Sequence, residues 1–193
     1  LGGMKPLLLI GCGGHARSLI DLIESTAKWQ IHGLVGFPEQ VGSYVLGYPV
    51  LCSDSDLPAL QQECPTALLA IGQLTDSAPR VRLAEQLKQF GFEFPTLISS
   101  HAVVSRHARF GPGTTVGHGS IVNAGAVVGD HCIINSHALI EHDVQIDNHC
   151  HISTGVLMNG GVSLGSRSFI GSGAIIREGL NLPPFTVIGA GKR

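Results

Sequence analysis

The feature that most constrains this chain is a strict repeat of apolar side chains at every sixth position between residues 104 and 188. A period of six fits neither the 3.6-residue turn of an α-helix nor the simple alternation of a β-strand. The residue four positions after each apolar one is usually small, as at Ala108, Ser120 and Cys132. The repeating apolar positions are Val104, Phe110, Val116, Val122, Val128, Ile134, Ile140, Ile146, Ile152, Met158, Leu164, Ile170, Ile176, Leu182 and Ile188.

This repeat predicts short strands joined by tight corners, with three strands in each coil of 18 residues. Each apolar side chain should then point inward and stack on the residue 18 positions later, about 4.8 Å along the axis, as in neighbouring parallel strands. Glycine or asparagine often follows the apolar position directly, as at Gly117 and Asn135. We expect that next position to take the positive φ of the corner, because both residue types tolerate it. The period alone does not set the hand of the coil.

The first half of the chain has a different organisation. Residues 7–10 read as a buried strand and are followed at once by a glycine-rich loop and a helix whose apolar positions share one face. Strands are predicted at 31–35 and 67–71, and a helix capped by Ser77 should run to about Phe90. Strands that alternate with helices predict a small parallel α/β domain. We place it at residues 4–97 and the coiled domain at 98–193, with a boundary near Ile98.

Composition excludes several classes of partner. A net charge of −2 and a charged fraction of 13% give no basic patch for nucleic acid or an anionic membrane. The five cysteines show no metal-type spacing, and we expect Cys132 and Cys150, which lie 18 residues apart, to stack as buried thiols. Without a signal-peptide pattern or a membrane-spanning segment, the expected location is the reducing cytoplasm. The opening Leu1-Gly2-Gly3 before Met4 is expected to be an addition to the natural chain.

The glycine loop is a candidate ligand site. A loop between a first strand and a first helix brings backbone N–H groups and the helix N-terminus close to a phosphate. Gly11, Gly13 and Ala16 formally satisfy the dinucleotide fingerprint, but the domain is too small for two mononucleotide halves. A tight turn without a ligand is the structural alternative. The remaining interpretation, a nucleotide-linked ligand on Gly11, Gly13, Gly14 and His15, comes from the family resemblance that is described next.

The whole chain resembles the sugar acetyltransferases of the sialic acid, bacillosamine and perosamine pathways, within the hexapeptide-repeat acyltransferases. The resemblance rests on the Gly13-Gly14-His15 loop of a small α/β domain and on Ile140-Glu141-His142-Asp143 in the hexapeptide coils. It implies a Rossmann-like α/β domain that binds a nucleotide-linked amino sugar. It also implies a C-terminal left-handed parallel β-helix that binds acetyl-CoA between subunits of a homotrimer. Family members usually carry an acidic pair after the second strand, where this chain has Pro38-Glu39; Glu39 is therefore the candidate base or ribose contact.

The resemblance also assigns the catalytic residues. His142 matches the family's general base, and imidazole suits the removal of a proton from an attacking amine near neutral pH. Asp143 takes the role of the orienting carboxylate in the family, although the sequence leaves Glu141 open. The acetyl-CoA site carries over onto His151, Gly160, Ser172 and Ala190, the last of which is usually glycine. His107, His118, His131 and His149 are expected to lie at solvated corners of the coil.

Three alternatives stay open at this point. The family's O-acetylating members share the same motifs, so the acceptor atom is not fixed. His101, His137 and His142 have the spacing of the zinc ligands in gamma-class carbonic anhydrases, which would make a metal-dependent hydratase. A rigid scaffold without catalysis is the third. The acetyltransferase hypothesis expects acetyl-CoA as co-substrate and no metal.

Overall fold

The computed structural model describes residues 3–193, so Leu1 and Gly2 of the expected addition lie outside the described residues. The chain divides into two compact units. Among the described residues, the first comprises 3–72 and Ala78–Pro95, and the second comprises Gln73–Ser77 and Thr96–Arg193. The assignment of separate roles to residues 4–97 and 98–193 stays a prediction.

The first unit is a five-stranded sheet with three helices. Its strands follow the order β3-β4-β2-β1-β5, and β1, β2, β4 and β5 are parallel. The predicted parallel α/β sheet also has one antiparallel pair at its edge, where β3 pairs with β4 through a tight hairpin. The elements are β1 (Lys5–Ile10), α1 (Gly14–Thr26), β2 (Trp29–Val35), β3 (Tyr44–Val45), β4 (Tyr48–Cys52), α2 (Leu57–Glu63), β5 (Ala67–Leu69) and α3 (Ala78–Gln89).

The core of this unit forms around β1. Leu7, Leu8, Leu9 and Ile10 are all buried, as expected of a parallel strand covered on both faces. The predicted apolar face of α1 is buried against the sheet. Because β1 and β2 end side by side, the loop after β1 and the turn after β2 emerge at the same edge. Parallel sheets of this kind bind ligands at that edge.

The second unit is a series of two-residue strands in three parallel sheets. One sheet holds β7 (Val103–Val104), β10 (Ile121–Val122), β13 (Leu139–Ile140), β16 (Leu157–Met158) and β19 (Ile175–Ile176). A second holds β8 (Arg109–Phe110), β11 (Val127–Val128), β14 (Gln145–Ile146), β17 (Ser163–Leu164) and β20 (Asn181–Leu182). The third holds β6 (Leu97–Ile98), β9 (Thr115–Val116), β12 (Ile133–Ile134), β15 (His151–Ile152), β18 (Phe169–Ile170) and β21 (Val187–Ile188).

The register of these sheets is the predicted 18 residues. Val122 pairs with Ile140, and Ile140 pairs with Met158. The second residue of each strand points inward, and Ile140, Ile152 and Met158 have no exposed surface. Cys132 and Cys150 are free and buried in the same interior, which confirms the expected buried thiols.

The corners of the coil differ from the expectation. Positive φ occurs three residues after the inward apolar positions, at all fourteen such corners from Gly113 to Gly191. The residue directly after the apolar one, such as Gly117, is not among the positive-φ residues. A Cβ built on Gly117 would lie 2.8 Å from the backbone nitrogen of Ser136. Glycine is therefore required there by the close approach of the next coil.

One corner histidine is also placed differently from the expectation. His131 is only 8% exposed, and its ring stacks on that of His149 with centroids 5.3 Å apart. Side chains 18 residues apart lie next to each other in neighbouring coils, so the ring of His149 covers that of His131. No helix within residues 3–193 is long and apolar enough to cross a bilayer.

Candidate active site

His142 and Asp143 form a hydrogen-bonded pair at an exposed corner of the coil. The inward Ile140 ends β13 and anchors the start of the turn, and Asp143 occupies the positive-φ corner position with φ of 59°. The Nδ1 atom of His142 lies 3.0 Å from Oδ2 of Asp143, and their side chains are 66% and 72% exposed. The structure therefore brings together the two residues predicted as base and orienting carboxylate, with both open to solvent.

The charge environment of His142 favours a basic imidazole. The hydrogen bond to Asp143 raises the pKa of His142 above its ordinary value, and the nearby charge of Glu141 adds to this effect. Loss of hydration opposes the shift without reversing it. Glu141 itself accepts a hydrogen bond from Nδ2 of Asn123 at 2.9 Å. Of the two carboxylates that the sequence left open, Asp143 is thus the one bonded to the ring.

Gly160 lies beside the other edge of the imidazole ring. A Cβ built on Gly160 would be 2.6 Å from Nε2 of His142, so only glycine leaves this edge of the ring unobstructed. Since Nδ1–H donates to Asp143, Nε2 is the nitrogen that keeps a lone pair in the neutral ring. The structure therefore places the predicted acetyl-CoA residue Gly160 directly at the atom that would accept a proton.

His151 lies in a buried setting with protein partners. It is 7% exposed, its Nδ1–H donates to the backbone carbonyl of Gln73, and Asn135 donates from Nδ2 to its Nε2 at 3.3 Å. The ring also meets Phe169 edge-on with centroids 5.3 Å apart. Within one chain His151 is held by its own unit, and its contact with acetyl-CoA stays a prediction.

The other two predicted acetyl-CoA residues lie on the surface of later coils. Ser172 is exposed, and its hydroxyl lies 2.9 Å from that of Ser153. Ala190 is exposed too, and a Cβ built on Gly171 would lie 2.5 Å from the Ala190 backbone nitrogen. Both positions offer backbone and small side chains at the surface, as a groove for an extended ligand requires.

The histidines of the zinc hypothesis have separate partners. The ring of His101 lies 5.6 Å from that of His118, while His142 is bonded to Asp143. The ring of His137 lies over Gly119, where an added Cβ would be 2.6 Å from it. Within residues 3–193 of a single chain, no group of three or more histidine, cysteine, aspartate or glutamate side chains is placed to hold a metal ion.

The first unit contains a cavity of about 540 Å³ at the sheet edge where β1 and β2 end. Gly11, Gly13, Gly14 and His15 of the predicted loop all line it. Gly13 is the N-cap of α1, the helix has no side-chain cap, and its first turn carries no acidic residue. The N–H groups and the positive end of the helix dipole therefore suit an anionic ligand such as a phosphate.

Gly11 and Gly13 of this loop differ in whether the fold itself requires glycine at that position. Gly11 has φ of 119°, and a Cβ there would lie 2.7 Å from Cγ2 of Ile71, so the fold requires it. Gly13 has φ of −85°, and a Cβ there would meet no atom within 4 Å. The structure of the chain alone thus does not need glycine at position 13, which is consistent with a role in close approach to a ligand.

Several cavity residues were not predicted from the sequence, and one residue predicted to bind the nucleotide is not among those that line the cavity. Glu39 does not line the cavity; its neighbour in the turn, Gln40, does, together with Phe37, Asp54 and Arg82. The turn Pro38–Gln40 is a single 3₁₀ turn after β2, so one position of offset changes which side chain faces inward. Arg82 has helical spacing to Pro79, Leu83 and Gln86, and all four residues line the cavity. This spacing is the sequence signal that could have found Arg82.

A β-helix of 18-residue coils with an exposed histidine–carboxylate pair at a corner defines an acyltransferase of the hexapeptide-repeat class. Residues 6–87 match the PglD N-terminal domain family. The chain belongs to the sugar acetyltransferase family that includes perosamine N-acetyltransferase and the acetyltransferase domain of PglB. The expected family and fold class, with a left-handed β-helix, are confirmed.

Two solved structures support this assignment. A variant of perosamine N-acetyltransferase from Caulobacter crescentus, in complex with CoA and GDP-perosamine, is 32% identical with a TM-score of 0.89, covering 99% of this chain and 87% of the other. The acetyltransferase domain of PglB from Neisseria gonorrhoeae, in complex with acetyl coenzyme A, is 30% identical with a TM-score of 0.88. That match covers 98% of this chain and 90% of the other.

A more distant structure shares the fold alone. WeeI from Acinetobacter baumannii is 17% identical with a TM-score of 0.63, covering 97% of this chain and 95% of the other. A comparison with curated protein sequences finds no significant match.

Proposed function

We propose that this protein transfers the acetyl group of acetyl-CoA to the amino group of a nucleotide-linked amino sugar, in the synthesis of a bacterial surface glycan. The observation that supports this most directly is the exposed His142–Asp143 pair, with Nδ1 and Oδ2 at 3.0 Å and Gly160 beside Nε2. The relative from Caulobacter crescentus is an N-acetyltransferase, which favours transfer to nitrogen over transfer to oxygen.

In this mechanism His142 acts as the general base. As the sugar amine attacks the thioester carbonyl, Nε2 takes the proton that the nitrogen loses, and the C–S bond breaks to release the CoA thiol. Asp143 holds the ring by the bond at Nδ1, which leaves the Nε2 lone pair available and stabilises the imidazolium that forms. The cationic ring can then return its proton to the departing sulfur, so that the charges balance over the reaction.

The two units take different roles. The glycine loop and the N-terminus of α1 bind the diphosphate of the acceptor in the 540 Å³ cavity. The coiled unit binds acetyl-CoA along Gly160, Ser172, Ala190 and His151, in the region that follows the catalytic corner. We propose the reducing cytoplasm as the location, where the five cysteines would remain thiols.

We further propose a homotrimer. The outward residues of β7, β10, β13, β16 and β19 form one apolar column along the prism: Val103, Ile121, Leu139, Leu157 and Ile175. Val103 is 67% exposed in the single chain, and a continuous apolar face of this kind indicates a protein contact. The corresponding column of β8, β11, β14, β17 and β20 contains Arg109, Gln145, Ser163 and Asn181. Because His142 lies two residues after the end of β13, the apolar column runs up to the catalytic corner, so a second copy packed on it would help to form the site.

The experiment is a panel of UDP-, GDP- and dTDP-linked amino sugars supplied with acetyl-CoA, with release of the CoA thiol and product mass as readouts. Thiol release that depends on one amino sugar nucleotide is the expected result. The matched control is the same nucleotide sugar with a hydroxyl in place of the amine. A product that loses its acetyl group in mild base would be an ester and would show O-acetylation. No thiol release with any member of the panel would reject the proposed function.

A further inference from the structure

The turn after β2 is where this chain departs from the acidic pair usual in its family. Phe37 and Gln40 from this turn line the cavity of the first unit, whereas Glu39 does not. Phe37 is 68% exposed, which is unusual for an aromatic side chain without a partner surface. Its position at the cavity rim leaves a flat apolar ring available to a planar ligand group.

The side chain of Gln40 is fixed by two donors that converge on one atom. Its Oε1 accepts a hydrogen bond from the backbone N–H of Phe37 at 2.9 Å and from the thiol of Cys12 at 3.1 Å. Since both partners donate, this atom is the amide oxygen, and Nε2 is the other end of the group. Burial raises the pKa of Cys12, so the thiol stays protonated and remains a donor.

The packing around this group leaves it little freedom. A Cβ built on Gly36 would lie 2.7 Å from Sγ of Cys12 and 3.1 Å from Oε1 of Gln40. Glycine at position 36 is therefore what allows the thiol and the amide to meet. With Oε1 held in this way, Gln40 offers only the N–H donors of Nε2 to a ligand in the cavity.

The topology indicates which part of a nucleotide reaches this group. The loop after β1 provides the phosphate-binding N–H groups, and Gly11 donates its N–H to the carbonyl of Val35 at the end of β2, at 2.8 Å. In sheets of this kind the nucleoside lies toward the strand next to the phosphate loop. With the diphosphate on the loop, the base therefore extends to the β2 side, where Phe37 and Gln40 lie.

We propose that Phe37 stacks on the nucleobase of the acceptor and that Gln40 donates from Nε2 to the carbonyl oxygen at position 4 of a pyrimidine or position 6 of a purine. Uracil and thymine carry such an oxygen at position 4 and guanine carries one at position 6, whereas cytosine and adenine carry an amino group there. The site thus selects keto bases over amino bases, because an amino group facing Nε2 would set two donors against each other. This selectivity rests on the proposed function, in which the cavity holds a nucleotide-linked sugar.

The experiment is calorimetric titration of the full chain with UDP, GDP, CDP and ADP. We expect UDP or GDP to bind at least about tenfold more tightly than the amino-base nucleotide of the same ring size, since a missing or opposed hydrogen bond in a partly buried site has that effect. Phe37→Ala should weaken all four by roughly 5- to 100-fold without changing their ratios, because stacking is indifferent to the base.

The decisive variant is Gln40→Glu. It keeps an oxygen for the Cys12 thiol and the Phe37 N–H but replaces the free donor by an acceptor. The added charge should weaken every nucleotide, so the measured quantity is the keto-to-amino affinity ratio, which we expect to fall by about tenfold or more. Glu39→Gln is the matched control on the same turn, and its ratio should equal that of the wild type.

The outcomes distinguish a failure of base selection from a failure of the proposed acceptor. Absence of binding by all four nucleotides would overturn the base selection together with the proposed acceptor. Binding without a keto preference, or a ratio that Gln40→Glu leaves unchanged, would overturn the base selection and leave the acetyltransferase function standing. If Gln40→Glu does not fold, as judged by thermal unfolding, Gln40→Met replaces it. Methionine has no donor, so the ratio must then fall toward one.

Discussion

Replacement of His142 by alanine is the sharpest test of the catalytic assignment. The side chain is 66% exposed and is hydrogen-bonded to Asp143 at the surface, so its loss removes no core packing. We expect the melting temperature and the affinity for acetyl-CoA to stay near the wild-type values. General base catalysis typically contributes a factor of about 10² to 10⁴, and we expect kcat to fall by that amount.

The contribution of Asp143 should be smaller than that of His142. The pair is exposed to water, which screens it, and asparagine can still accept a hydrogen bond from Nδ1, so Asp143→Asn should lower kcat on the order of tenfold. The double variant should be no slower than His142→Ala alone, because the carboxylate acts only through the ring. Glu141→Gln is the control, since that carboxylate is bonded to Asn123 and its loss should cost much less.

The pH profile gives a readout that a structural role would not move. Only the neutral ring can take a proton, so kcat should fall as the pH drops through the pKa of His142. The bond to Asp143 raises that pKa, so the acidic limb of the wild type should lie above the ordinary histidine value of about 6.5. Asp143→Asn should move this limb to lower pH. Single-turnover acetyl transfer across the pH range measures both effects. If His142→Ala retains more than about half of the wild-type kcat, or if the limb does not move in Asp143→Asn, the assignment is wrong.

Three further predictions test the coil, the loop and the assembly. Ile152→Ala should lower the free energy of unfolding by about 2 to 5 kcal/mol, because the side chain is fully buried between two coils; a loss below about 0.5 kcal/mol in chemical denaturation would contradict the register. Gly13→Val should fold normally and lose affinity for the sugar nucleotide but not for acetyl-CoA, as measured by titration. Gly11→Ala should instead destabilise the fold itself, as measured by thermal unfolding. Leu157→Glu should shift the protein from trimer to monomer in light scattering and lower its activity, while Ser163→Glu on the neighbouring face should do neither; a wild-type monomer with full activity would reject the trimer.

The sequence predicts the coil well because its inward positions share one environment. Neither a helix nor an ordinary strand places an apolar side chain at every sixth residue, so the register of Val122 on Ile140 followed directly from counting. The corner conformation did not follow, because glycine serves two purposes in such a coil. At Gly117 it permits close approach of the next coil, and at Gly119 it permits positive φ. Composition alone does not distinguish these two reasons.

The cavity shows where sequence reasoning reaches its limit. The glycine loop could be found from its place between β1 and α1, since backbone groups at that edge need no particular side chain. The side chains that face the loop come from the turn after β2 and from α3, far apart in sequence. Which of Glu39 and Gln40 faces inward depends on the one-residue geometry of a 3₁₀ turn. Likewise, the choice between Glu141 and Asp143 depends on the corner conformation, which the period does not specify.

The catalytic corner differs in two ways from the neighbouring corners of its own column. In the column of corner residues that includes Asp143, the positions one coil before and one coil after are Gly125 and Gly161, so Asp143 is the residue that bears a side chain in the less favourable left-handed conformation. A Cβ on Gly125 would lie 2.3 Å from Oδ1 of Asp143, just as one on Gly160 would lie 2.6 Å from Nε2 of His142. Glycine thus lies next to Asp143 in the preceding coil and next to His142 in the following coil. The corner accepts backbone strain at Asp143 and has glycine at the equivalent positions of the preceding and following coils. The polar pair is therefore accessible from solvent, which is what two large substrates need in order to meet at one imidazole.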